Sequence, residues 1–166
     1  MRITFSIQGG EQLAANLATL GLRVQKTVVR QAIRAAQKPM QTAARSAARG
    51  LGSEHDSDGV DMSELLAKNI VIAAAKKQRP GTYSLHVQMR RDVPEFVHKS
   101  KAGRETYIPA AIEYGHMAGN TYVSAIPFLR RAAEATVDER IRVLTDKMRA
   151  GILREVIKGR LGAGGT

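Results

Sequence analysis

The sequence predicts an α+β protein: a small, mostly antiparallel sheet packed against two or three helices, with a long amphipathic helix towards the C-terminal end. Short stretches that alternate apolar and polar residues are typical of strands with one buried face. Longer stretches near both ends repeat apolar residues every three or four positions, which is the period of a helix. The 166 residues are enough for one hydrophobic core and few for two, so residues 1–158 are expected to form a single domain.

The first fifty residues contain one predicted strand and two predicted helices. Apolar and polar residues alternate strictly over residues 2–8, which predicts the strand. A short helix is predicted where Leu13, Leu17 and Leu20 recur at helical spacing up to Gly21, and a longer one at residues 22–49. Because proline removes a helical hydrogen bond and clashes with the preceding turn, Pro39 is expected to kink or break the longer helix.

The middle of the chain is predicted to contain a hairpin between two loops. Residues 50–62 are rich in Gly, Ser and acidic side chains, and we expect a mobile acidic loop there. Residues 69–75 and 82–90 have strand patterns, and the turn chemistry of residues 78–81 predicts that they pair as an antiparallel hairpin. The charged residues 92–106 are predicted to form an extended loop or an arm that contains an irregular strand.

The C-terminal third is punctuated by proline and glycine. A short helix is predicted over residues 109–114, because proline suits the first turn of a helix and Gly115 suits the position just past its end, where φ is often positive. A long amphipathic helix is predicted from Pro127 to Lys158, with Ser124 as a candidate cap. The Gly-rich residues 159–166 are expected to be a flexible tail.

The formal net charge of +11 is the strongest deviation in composition. Basic residues recur along one side of the helix predicted at residues 22–49, and this basic face comprises Arg23, Lys26, Arg30, Arg34 and Lys38. Such a face fits contact with a polyanion, contact with an acidic protein partner, or simple solvation. Three Phe, four Tyr and no Trp offer few platforms for stacked bases, which argues against single-strand binding.

Catalytic patterns are missing from the sequence. The chain has no cysteine, its four histidines lack metal-ligand spacing, and it contains no nucleotide-binding fingerprint. We therefore expect neither an enzyme nor a cofactor or metal site. Glu113 is the one acid that stands out: it is either a polar anchor for the turn at Gly115, a contact to a neighbouring subunit, or an exposed carboxylate. No apolar run is long enough for a bilayer, so the protein is expected to be soluble and made in a cytoplasm.

Four motifs occur in a fixed order along the chain. They are Gly9-Gly10-Glu11-Gln12-Leu13, Ala36 to Ala43 around Pro39, Ser63 to Ile70, and a bipartite motif made of Glu113-Tyr114-Gly115 and Pro127-Phe128-Leu129 with Ala132. In this order they resemble a tailed-bacteriophage family of head-to-tail joining and tail-completion proteins, the neck and tail-terminator-like morphogenesis proteins. Three positions depart from the family pattern, where Glu64 replaces Gly, Asn69 replaces Ser and His116 replaces Thr.

The resemblance implies a structural virion protein, made in the host cytoplasm, that forms a ring at the neck. Such a ring completes or terminates the tail, or joins it to the head. The family favours a hexamer that contacts the adjacent neck or connector proteins and the tail-tube protein, and non-specific contact with genomic DNA in the lumen. No membrane partner is expected. The alternative function is a basic DNA-binding protein that acts as a monomer or dimer, and the weaker third class is an enzyme.

Overall fold

The computed structural model describes residues 22–52, 61–75, 82–100 and 103–162, with residues 22–25 and 159–162 described by their backbone alone. The predicted strand 2–8 and the short helix predicted up to Gly21 lie outside these ranges, as do residues 53–60 of the acidic loop, the turn 78–81 and residues 163–166 of the tail. In the described ranges the chain is α+β, with five α-helices and three antiparallel two-stranded sheets. The predicted fold class is confirmed, although the strands form three separate pairs.

The elements follow one another in a simple order. The helices are α1 (Leu22–Arg49), α2 (Met62–Lys68), α3 (Ile108–Tyr114), α4 (Phe128–Ala135) and α5 (Val137–Gly162). The strands are β1 (Ile70–Ala74), β2 (Leu85–Met89), β3 (Val97–Lys99), β4 (Glu105–Tyr107), β5 (His116–Ala118) and β6 (Thr121–Val123). The described residues divide into a central unit (38–52, 61–73, 86–100 and 103–137) and a terminal unit (22–37, 74–75, 82–85 and 138–162). The sequence's single-domain expectation stays a prediction.

Helix α1 runs unbroken through Pro39, so of the expected kink or break the break does not occur, and the kink stays a prediction. The missing N–H removes one hydrogen bond from the helix. Burial of small residues on both sides of the proline offsets that loss, because Ala36 is buried in the terminal unit and Ala44 in the central unit. Packing, which single-sequence propensity does not include, decides the outcome here.

The hydrophobic core of the central unit collects apolar side chains from its helices, from strands β1 and β2 and from the turn before β3. Its buried members are Ala44, Ala48, Met62, Leu66, Ala67, Ile70, Met89, Phe96, Ile112, Phe128 and Ala132. Two side chains of α1 also bond to the sheet: Gln41 Nε2 and Arg45 Nη2 each donate to the carbonyl oxygen of Ile70 at 2.9 Å. Helix α1 is therefore fixed to strand β1 by both apolar packing and hydrogen bonds.

In the terminal unit α1 and α5 approach each other closely. A Cβ atom on Gly151 of α5 would lie 2.7 Å from Cγ1 of Val28, which is too near for any side chain there. Val28 and Ala32 are buried, as are Leu85 and Ile152. Glycine at this crossing lets the two helices pack with their backbones close together.

Helix α2 is an element that the sequence prediction lacks. Asp61 caps it, because its carboxylate accepts hydrogen bonds from the backbone N–H of Glu64 at 3.1 Å and from the hydroxyl of Ser63 at 2.6 Å. Met62 and Leu66 are buried beneath it. An acid followed three residues later by Glu is a sequence signature of a helix start, but seven residues are too few to show helical periodicity.

Two of the three hairpins lie in the stretches predicted as strands or as an arm. Strand β1 pairs with β2, which confirms the predicted hairpin of residues 69–75 and 82–90. Residues 92–106 fold back on themselves, since β3 pairs with β4 and Val97 lies opposite Tyr107. Phe96, at the end of a 3₁₀ turn before β3, is fully buried and its ring meets Tyr107 edge-on at 6.2 Å. The expected loop or arm is therefore a hairpin with a buried anchor.

The predicted helix 127–158 consists of two helices. It is divided at Thr136, whose φ and ψ of −113° and 12° are not helical and whose buried hydroxyl donates to the carbonyl of Ala132 at 2.7 Å. Helix α5 then continues to Gly162, so residues 159–162 of the expected flexible tail are helical. No proline or glycine marks the division, which is why the sequence does not show it.

Candidate functional site

Glu113 links two helices that are far apart in sequence. It lies near the end of α3 and is 6% exposed, so it is not the exposed carboxylate that the sequence allowed. Its Oε2 accepts a hydrogen bond from the backbone N–H of Leu129 at 3.0 Å, and its Oε1 accepts one from the N–H of Arg130 at 3.1 Å. The carboxylate thereby caps the N-terminus of α4, where the helix dipole also favours negative charge.

The start of α4 has no cap of its own. Pro127 occupies the position before the helix and supplies no side-chain hydrogen bond, and the candidate cap Ser124 does not replace it. A second backbone bond ties the same segment to α3, because the N–H of Ile126 donates to the carbonyl of Ile112 at 2.7 Å. Glu113 is a polar anchor as predicted, but it anchors α4 and not the turn at Gly115.

Gly115 ends α3 in a conformation that only glycine adopts readily. Its φ of 76° confirms the predicted positive value, and its ψ of 164° lies outside the left-handed helical region. A Cβ at this position would lie 2.8 Å from the carbonyl oxygen of Val123 and against the hydroxyl of Tyr122. The chain therefore needs glycine both for the backbone angle and for the close return of strand β6.

The remaining motif residues complete the same junction. Phe128 and Ala132 are buried in the central core, at 2% and 4% exposure, and Leu129 packs at its edge. Tyr114 is the exception, since 66% of it is exposed. The structure thus brings the motif residues to one junction between α3 and α4, which we call the Glu113 junction and which comprises Glu113, Tyr114, Gly115, Pro127, Phe128, Leu129 and Ala132.

Beside this junction, strands β5 and β6 form a hairpin that the sequence prediction treats as a loop. Met117 lies opposite Tyr122 across the two strands, and the hydroxyl of Tyr122 is 3.5 Å from the carbonyl oxygen of Tyr114. Tyr114, Met117 and Tyr122 are 66%, 61% and 59% exposed, and we call these three side chains the hairpin patch. Arg130 places its guanidinium 5.9 Å from the centre of the Tyr114 ring, at the limit of a cation–π contact.

The basic face of α1 is exposed, as a solvated or partner-binding face must be. Lys26, Arg30, Arg34 and Lys38 occupy every fourth position, spaced by about 6 Å along the helix axis. Helix α1 contains no acidic residue, and across the described ranges no carboxylate forms a salt bridge with these four side chains. Arg30 lies over the ring of Tyr83 at 5.0 Å. The side chain of Arg23, the fifth predicted member, lies outside the described residues.

A groove of about 350 Å³ lies next to this face, within the terminal unit. It runs between α1 and α5 and is lined by Thr27, Val28, Gln31, Gly151, Arg154, Glu155 and Lys158. Lys158 is paired with Glu155 at 3.1 Å, which neutralises part of the local positive charge. The sequence did not single out this groove, because its two walls are more than a hundred residues apart in the chain.

The features described above are packed junctions between helices and exposed surfaces. Within residues 22–52, 61–75, 82–100 and 103–162, no group of three or more His, Asp or Glu side chains could hold a metal ion. None of the helices in those ranges is long and apolar enough to cross a bilayer. The expectation that the protein is not an enzyme stays a prediction.

Comparison with known proteins gives no match: no protein-family model, no curated protein and no solved structure is similar to this chain.

Proposed function

We propose that this protein is a structural component of a tailed-phage virion that forms a homo-oligomeric ring at the neck, where it completes or terminates the tail and joins it to the head. The motifs that resemble the head-to-tail joining family are the starting point. The observation that carries the proposal is the Glu113 junction. Seven motif residues separated by up to 19 positions meet in one place, and most of them have a distinct physical role. A chance resemblance would not require its residues to converge.

The junction also suits an assembly protein. It holds α3, α4 and the β5–β6 hairpin in fixed relation through a buried carboxylate, a tight glycine and a buried aromatic ring. A rigid support of this kind presents exposed side chains to a partner at low entropic cost. The ring would be a hexamer by family resemblance, with connector and tail-tube proteins as its neighbours.

A phage that carries an early stop codon in this gene tests the proposal. We expect negative-stain images to show DNA-filled heads and separate tails, or tails with an unfinished end. Supplying the wild-type protein from a plasmid should restore joined particles, which controls for effects on neighbouring genes. Normal joined virions in the uncomplemented mutant would overturn the proposal.

The exposed basic face favours a second candidate, a DNA-binding protein that acts as a monomer or dimer. The affinity of such a protein falls with salt, by about 0.9 units of log K per unit of log salt for each phosphate neutralised. Changing Arg30, Arg34 and Lys38 together to Gln should then reduce the slope of log K against log salt concentration by about 2.7, because three phosphate contacts are lost. Changing Arg142, Lys147 and Arg149 of α5 to Gln removes the same charge elsewhere and is the matched control.

Under the neck proposal, the Arg30, Arg34 and Lys38 variant stays folded and still complements the stop-codon phage. Its DNA affinity is weak and without sequence preference. Nanomolar, sequence-specific binding by the wild type at physiological salt, lost in this variant and retained in the α5 control, would favour the DNA-binding function instead.

A further inference from the structure

The groove between α1 and α5, which we call the α1–α5 groove, lies where two basic stretches of the chain meet. Residues 22–37 contain four Lys or Arg and no acid, and residues 147–158 contain four Lys or Arg and one acid. The two stretches therefore hold seven of the eleven net positive charges. They are brought together where Gly151 packs on Val28. Because like charges that converge in the fold repel each other, such a groove has the features of a site for an anionic partner.

Cationic side chains stand on both walls of the groove. On the α5 side Arg154 and Lys158 line it, and both are exposed. On the α1 side Gln31 lines it, and Arg34 lies one helical turn further along the same side of the helix, with Arg30 one turn before Arg34. In the described part of the chain, no carboxylate forms a salt bridge with Arg30, Arg34 or Arg154. These guanidinium groups are available to an anion from outside.

Two contacts order the charges at the groove. The guanidinium of Arg30 lies over the ring of Tyr83 at 5.0 Å. An arginine held against a ring loses less rotamer freedom when it binds an anion, which favours binding. Glu155 is the one acid among the described residues that line the groove, and its Oε1 accepts a hydrogen bond from Nζ of Lys158 at 3.1 Å. Glu155 thus occupies one cation and limits the affinity of the groove for anions.

The chemistry of the groove fits the phosphate backbone of a nucleic acid. Arg, Lys, Thr and Gln side chains are among the groups that contact phosphate oxygens in such complexes, and all four kinds line the groove or its edge. Lys26, Arg30 and Arg34 recur about every 6 Å along α1, so a matching partner presents negative charge repeatedly, as a nucleic acid does at each nucleotide. The few aromatic residues of the chain favour a duplex over a single strand.

We propose that the α1–α5 groove binds the phosphate backbone of double-stranded DNA without reading its sequence. Arg154 and Lys158 contact phosphates from one wall, and Arg30 and Arg34 contact them from beside the other. The inference adds a wall from α5 to the basic face of α1. It goes beyond the neck proposal, because it concerns the single chain and needs no ring.

Fluorescence anisotropy of a labelled duplex of mixed sequence, titrated with the full chain at several NaCl concentrations, tests the inference. Arg154→Gln combined with Lys158→Gln removes two phosphate contacts. The slope of log K against log salt concentration should become less steep by about 1.8, which is roughly 60-fold weaker binding at about 0.1 M salt. Arg142→Gln combined with Arg149→Gln removes the same charge from the opposite side of α5, and this control should change the slope by less than half as much.

A gain of affinity separates the role of the groove from a loss of fold. Glu155→Gln releases Lys158 for a phosphate and removes the acid from the groove. The slope should become steeper by about 0.9, which is roughly 8-fold tighter binding at about 0.1 M salt. Asp146→Asn makes the same change of charge on the far side of α5 and is the matched control. Circular dichroism confirms that each variant is folded.

Four results would overturn the inference. The first is a wild type that does not bind the duplex at low salt, or a folded double variant of the groove that binds as tightly as its control. The second is a Glu155→Gln variant that binds no more tightly than its own control. The third is displacement of the duplex by poly-glutamate or tripolyphosphate as readily as by unlabelled DNA of equal charge, which would assign the groove to an acidic polypeptide or a small oligophosphate. The fourth is a preference for one duplex sequence, which would mean that bases are read. Each would leave the neck proposal in place, because the stop-codon phage tests that proposal separately.

Discussion

Replacement of Glu113 tests the Glu113 junction most sharply. Hydrogen bonds to a charged group contribute about 1.5–3 kcal/mol each, while loss of an N-cap costs about 0.5–2 kcal/mol when water can reach the freed N–H groups. Glu113 makes two such bonds and is 6% exposed. We therefore expect Glu113→Ala to lower the free energy of unfolding by about 2–4 kcal/mol.

The amide variant separates hydrogen bonding from packing. Glu113→Gln keeps the shape and one acceptor oxygen, but its NH₂ group faces one of the two backbone N–H donors, at Leu129 or Arg130. About half of the alanine effect, roughly 1–2 kcal/mol, should remain. Glu134→Ala removes an exposed acid from α4 and should change stability by less than about 0.5 kcal/mol.

Urea titration followed by circular dichroism measures these effects, provided that the slope of each transition is unchanged. In thermal unfolding, each kcal/mol should correspond to about 2–4 °C for a chain of this size. A loss below about 0.5 kcal/mol for Glu113→Ala in the isolated protein would refute the capping role. Glu113 would then act only through a neighbouring subunit.

Three further predictions concern the central unit. Phe128→Ala should lower stability by about 3–5 kcal/mol, and a loss below about 1 kcal/mol in a denaturant titration would show that the ring is not a core residue. Gly115→Ala should lower the free energy of unfolding by about 1–3 kcal/mol, and Gly115→Val should lower it further. Gly119→Ala is the control and should cost less, because Gly119 has a φ of 62° but open space around it. Equal losses at the two glycines would contradict the close contact at Gly115. Hydrogen bonds from the Ser63 hydroxyl and the Glu64 N–H hold the pKa of Asp61 below its usual range. The charge of Asp61 therefore stabilises the fold at pH values above the unfolded pKa of about 3.9. This stabilisation is lost as the pH falls through the lower folded pKa. The stability difference between wild type and Asp61→Asn should accordingly shrink in acid, and a difference independent of pH would show that the charge contributes nothing.

Local chemistry made part of this fold predictable. Proline in the first turn and glycine after the last residue locate α3, and strict alternation locates β2, because these signals depend on a few neighbouring residues. The positive φ of Gly115 follows from the same local rule. Such features need no knowledge of tertiary contacts.

The features that the sequence did not predict depend on contacts between residues that are distant in sequence, or belong to elements that are very short. The burial of Glu113 is set by N–H groups sixteen and seventeen residues later, at Leu129 and Arg130, and no spacing rule connects them. Strands β5 and β6 have three residues each, fewer than a periodic pattern needs. The division at Thr136 has no proline or glycine to mark it. For the hairpin patch, the signal in the sequence was the absence of charge from residues 114–129.

The proposal that this protein forms a ring at the neck is tested most directly by a cryo-EM reconstruction of the neck, made on virions of the phage whose genome carries this gene. We expect a closed ring at the head–tail junction whose subunits show α5 as a long helix separated from α4 by a break at Thr136. A neck whose rings are all built from other chains, with this protein absent from the purified virion, would contradict it.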